Sequence, residues 1–127
     1  MVDDAQWEKG LAVVDRVYGP GSRGMMEPHR ASPFVSDIVG YQFAEVWGDD
    51  ALSVRDKRLM VLGATAMLGR ADLVEIQIGG AIVNGEFTDE QLAQIPRFLL
   101  TYAGAGNVTA VFQGIAAAQV KAKAKAG

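Results

Sequence analysis

Apolar residues recur along this chain at the three- and four-residue spacing of helices, and no stretch sustains the two-residue alternation of a strand. Trp7, Leu11, Val14 and Tyr18 fall at i, i+4, i+7 and i+11, with Asp4, Glu8, Lys9 and Asp15 on other faces. Gly19, Pro20 and Gly21 stop this first helix. Residues 22–33 then read as an irregular connection punctuated by Gly24, Pro28 and Pro33, and loops of that length often carry function. A second helix is predicted over residues 34–47. Ser53 and Asp56, at capping-box spacing, open a third that runs to Leu68 and stops at Gly69. The fourth covers residues 72–83 and ends at Asn84 and Gly85, a good left-handed cap. Thr88 to Gln91 is a capping box that opens the fifth, which carries Pro96 inside it. After a break at residues 104–107, a last helix presents Val108, Val111, Phe112 and Ile115. The reading is all-α, six helices, in a single domain spanning residues 1–127.

Single polar side chains placed on apolar stripes matter most for function, because a buried polar group costs stability unless it is paired. On the second helix Phe34, Ile38, Tyr41 and Glu45 share a stripe. Glu45 is expected to project inward, where burial would raise its pKa and suit it to proton exchange near neutrality. A structural carboxylate paired with a lysine or arginine is the alternative. On the third helix Lys57 lies with Val54, Val61, Ala64 and Leu68; it either holds a substrate oxyanion or snorkels to solvent. Gln77 shares a stripe with Leu73, Gly80, Ala81 and Asn84, either orienting a ligand or satisfied within the core. Gly79 and Gly80 inside a helix call for close packing or room for a ligand. His29, in the long connection, reads as a lid residue or as a partly exposed loop histidine.

Composition narrows the chemistry. The 127 residues suffice for one core, and half are hydrophobic. The chain has no cysteine, which excludes disulfides and thiol chemistry, and its one histidine argues against a histidine metal site or a serine triad. Net charge is −3, with 12 basic residues against 15 acidic ones. Three of the basic residues, Lys121, Lys123 and Lys125, sit in the last seven positions, expected to be a frayed, solvated helix end. The body is therefore acidic and offers no footprint for nucleic acid. No apolar run approaches the ~20 residues that span a bilayer, and the acidic N-terminus lacks the pattern of a secretion signal, so a cytoplasmic location is expected.

Glu45-Val46-Trp47, Leu68-Gly69-Arg70, Asn84-Gly85 and Tyr102-Ala103-Gly104, in this order, resemble the carboxymuconolactone decarboxylase family, relatives of the AhpD fold. The similarity extends over nearly the whole chain. It implies an all-α protomer that assembles into homotrimers or homohexamers, with a pocket between helices near a subunit interface. It also implies a reaction with no cofactor and no metal, in which a small acidic lactone loses carbon dioxide and an acid delivers a proton. Glu45 and Trp47 match the family's glutamate and tryptophan. Three positions depart from the family: Gln77 and Phe98 stand where histidines are found, and Lys57 where an arginine is found. No Cys-x-x-Cys pair is present, so thiol peroxidase chemistry of the kind known in relatives is excluded.

Two functions follow as expectations. One is a cofactor-independent lyase or isomerase acting on a small acidic lactone or enolisable carbonyl compound. Glu45 would carry the proton, and Lys57, Gln77, Trp47 and His29 would contact the substrate. The other is a non-catalytic, self-associating module that binds a small ligand.

Overall fold

The computed structural model describes residues 1–126 and consists of helices and short connections, with no strand among them. Two compact units divide the chain, Met1–Val54 and Arg55–Gly127.

In the first unit, α1 (Asp4–Tyr18) starts where Asp3 accepts a hydrogen bond from the Gln6 amide, which satisfies one of the unpaired donors of the first turn. It ends at Gly19, whose φ of 111° lies where a side chain would be strained. Trp7, Leu11 and Val14 of the expected stripe are buried, Tyr18 is half-buried, and Val13 and Val17 join the buried side. The connection expected to be irregular is instead wound into two short 3-10 turns, Ser22–Met25 and Glu27–His29. Arg23 ties the first of these to α1, reaching Asp15 at 2.7 Å and Glu8 at 2.6 Å. Burial pushes the Asp15 carboxyl up, but the hydrogen bonds and charge of Arg23 outweigh this and leave its pKa lowered.

Helix α2 (Pro33–Asp37) passes directly into a π-helical segment, Ile38–Trp47, whose last turn is closed by Gly48 N–H donating to the Phe43 carbonyl, an i→i+5 bond. The side facing α1 is Val39, Gly40, Phe43, Ala44 and Trp47. Close approach fixes this rotation: a Cβ on Gly10 of α1 would lie 2.0 Å from the Val39 carbonyl oxygen. Phe34, Tyr41 and Glu45 are consequently exposed, which corrects the stripe predicted for this helix.

The second unit contains α3 (Val54–Leu68) from Arg55 onward, α4 (Ala71–Val83), α5 (Asp89–Ala103) and α6 (Ala105–Ala126). Its core joins Leu62 and Ala66 of α3, Val74 and Ile78 of α4, Leu92 of α5, and Val108, Val111, Ile115 and Ala118 of α6. At the start of α4 the Arg70 fork grips Asp72 and holds its carboxyl at about pKa 2. The predicted capping box at Thr88 and Gln91 is present, with both reciprocal hydrogen bonds made. Helix α6 continues to Ala126, and Lys121 pairs with Glu75 of α4, so the expected frayed end is helical and partly tethered. Gly127, the last residue of that expectation, lies outside the described residues. No helix of the described residues is long and apolar enough to cross a membrane.

Candidate functional site

Glu45 sits on the outward side of the π-helical segment with 47% of its side chain exposed. The Gln6 amide donates to its Oε1, and Lys9 Nζ lies 3.2 Å from the same atom. Hydrogen bonding from Gln6 comes first, then that of Lys9 and its charge, and together they lower the carboxyl's pKa below the usual glutamate value. The expectation of a dry, raised-pKa carboxyl is therefore corrected. The helix rotation turns Glu45 toward the polar side of α1, where donors stabilise its ionised form.

Trp47 is buried in the first unit, its ring parallel to that of Phe43 with centroids 6.3 Å apart. His29 is exposed at the end of the second 3-10 turn. Lys57 is half-buried in the first turn of α3. The inward position on that helix belongs to its neighbour Arg58, followed by Leu62, Thr65 and Ala66. The buried stripe thus lies one residue on from the one expected from Lys57, Val61 and Ala64.

Gln77 is buried, and its side-chain oxygen accepts from Arg58 Nη1 at 3.0 Å. Arg58 itself has no exposed side-chain surface. Its Nε and Nη2 reach the two carboxylate oxygens of Glu86 at 3.1 and 2.8 Å, the forked geometry that makes arginine–carboxylate pairs strong. Glu86, its side chain only 7% exposed, also accepts from the Asn84 side-chain amide at 3.2 Å. Gln77 is thus held as an acceptor inside an ion-paired cluster.

Beside this cluster lies a cavity of about 340 Å³ that sequence reasoning missed. Leu59 and Leu62 of α3 form one wall, and Ile95, Phe98 and Leu99 of α5 form the other. Phe87, Arg55, Gln91 and Gln94 complete the lining. Arg55 Nε donates to the Glu86 carbonyl at 3.0 Å, and its guanidinium carbon lies 4.8 Å from the centre of the Phe87 ring. None of the candidate site residues read from the sequence lines this cavity, although Phe98, one of the positions that depart from the family, does. Arg55 and Arg58 are three residues apart, hence on one side of α3. That spacing, with an acid just beyond the Asn84-Gly85 turn, was the available signal.

A family model for the carboxymuconolactone decarboxylase family matches residues 33–117, about two thirds of the chain. The chain belongs to that family. No curated protein and no solved structure matched it. The matched segment takes in Glu45, Arg58, Gln77, Glu86 and the whole cavity lining; Gln6 and Lys9, which hold Glu45, precede it.

Proposed function

We propose that this protein is a small-molecule-binding member of the family, with the cavity between α3 and α5 as its binding site. One observation carries this reading: a cavity of about 340 Å³ has almost wholly apolar walls, with Arg55, Gln91 and Gln94 among the lining residues. That combination and size are typical of small-ligand sites, which begin at about 300 Å³. The adjoining Arg58–Glu86–Gln77 cluster supports it by fixing the turn that carries Phe87. A thermal-melting screen of the full chain against lactones and keto acids tests the proposal. A ligand that binds only the folded state raises the melting temperature progressively with concentration. No shift with any compound at millimolar concentration would overturn the reading.

Family membership favours a second reading, a cofactor-independent lyase or isomerase for a small acidic lactone or enolisable carbonyl compound. Glu45 is then the proton carrier, with Lys57 and Gln77 orienting substrate oxygens and Trp47 and His29 as contacts. An ionised Glu45 suits proton abstraction better than proton delivery. Incubation with γ-carboxymuconolactone, with carbon dioxide and product both followed, is the direct assay. Turnover that Glu45→Gln abolishes would establish this reading; wild-type turnover that persists in that variant would remove Glu45 from it. We further propose that the chain self-associates, as homotrimer or homohexamer.

A further inference from the structure

We infer that Arg55 anchors an anion in this cavity and that the ligand is a compact monocarboxylate with an apolar body. The inference rests on the small-molecule-binding reading and names the ligand class for the same site.

The argument begins with how two arginines share one acid. Arg55 and Arg58 both reach Glu86 from α3. Arg58 takes both carboxylate oxygens, whereas Arg55 has only the backbone carbonyl, at 3.0 Å, and the face of Phe87. Glu86 therefore neutralises Arg58 and not Arg55. No carboxylate among the described residues forms an ion pair with Arg55. Only its Nε is engaged, so the two Nη groups, which suit bidentate recognition of a carboxylate, remain for a ligand.

The surroundings then define the rest of the molecule. Arg55 is half-buried at the edge of a lining that contains no acid, so nothing in the wall repels an anion. Gln91 and Gln94 also line the cavity, and Gln91 Oε1 is already taken by the Thr88 N–H. Everything else the ligand meets is hydrocarbon or aromatic ring, where partial exclusion of water strengthens a charge pair. A second carboxylate would be pressed against that apolar wall without a partner, which disfavours dianions. The volume suits a single ring or a short branched chain.

Binding to the full-length protein can be measured by calorimetry at low salt with three probes: 3-phenylpropanoate, its neutral amide and the dianion phenylsuccinate. The monocarboxylate should bind at least about tenfold tighter than the amide, the scale of one charge-assisted hydrogen-bonded contact. It should also bind tighter than the dianion, and its advantage should shrink with added salt. Arg55→Gln should erase the acid's advantage over the amide. Arg55→Lys, which keeps the charge and loses the fork, should recover part of it, and circular dichroism of both variants shows that they fold. Equal affinity of acid and amide, or an advantage that survives Arg55→Gln, overturns the inference while binding itself stands. No binding of any probe, together with changed sedimentation of Arg55→Gln, means that a second copy fills the cavity, and overturns both readings.

Discussion

A guanidinium removed from water is tolerated only where its charge and its N–H groups find partners. Arg58 has Glu86 and Gln77, so removing either end of the ion pair strands the other as a buried charge. Arg58→Met should therefore cost about 3–5 kcal/mol, read from the midpoint of urea unfolding. The double variant Arg58→Met/Glu86→Leu should recover most of that loss, since an apolar pair in such a place is often neutral or better. If the single and double variants are equally unstable, the pair is not what stabilises this part of the second unit. Glu45 behaves differently with pH. Its folded pKa is lowered, so the stability it contributes is present above about pH 4.5 and is lost as pH falls through the lower, folded value. Carboxyl-carbon NMR should find its midpoint below 4.5, and the stability gap between wild type and Glu45→Gln should narrow as pH falls through that range. A midpoint near neutrality would instead restore the proton-carrier chemistry expected from the sequence. At this scale Gln77 was legible because an amide on a regular apolar stripe is conspicuous. Arg58 was not, because a buried charge is recognisable only once its partner, 28 residues away, is in place.

Helices were legible wherever their ends have local causes. The stops at Gly19, Gly69, Asn84-Gly85 and Gly104 and the box at Thr88 all lie where backbone chemistry requires them, and all six helices have their expected extents to within a few residues, the second as α2 and the π-helical segment together. The type and inward side of that second helix were not legible. An i→i+5 ladder has no distinct composition, and the choice of its inward side depends on the contact between Gly10 and Val39, which no periodicity reveals. The same contact gives a paired test. Gly10→Ala drives a methyl into a carbonyl oxygen and should destabilise the first unit by about 1–3 kcal/mol. Gly79, in the middle of α4, has open space on its side-chain side, where an added Cβ would meet nothing within 4 Å. Gly79→Ala should therefore stabilise the protein by about 0.5–1 kcal/mol, because it lowers only the backbone entropy lost on folding. Thermal unfolding of both variants decides the matter. Destabilisation by Gly79→Ala would mean that something outside the single chain packs against α4 at that point.

The exposed surface of the second unit bears on assembly. Helix α3 has a second apolar stripe, Met60, Ala64, Met67 and Leu68 at i, i+4, i+7 and i+8, on its exposed side. Ile76 and Val83 of α4 and Tyr102 of α5 are exposed as well. Scattered apolar residues on a surface need no explanation, but a whole stripe without a charge marks an interaction site. For a chain proposed above to form homotrimers or homohexamers, another copy of itself is the partner to test. Sedimentation velocity should then find a single species several times the 13.5 kDa of the chain. Met60→Glu/Met67→Glu places two charges on the stripe, where burial in an interface would leave them unpaired. This variant should sediment as a monomer while its helical circular dichroism is retained. It should also melt at a lower temperature that no longer rises with protein concentration, because assembly stabilises the folded state by mass action. A monomeric wild type would leave the stripe without a self-association role, and an oligomer insensitive to the double substitution would place the interface on other helices.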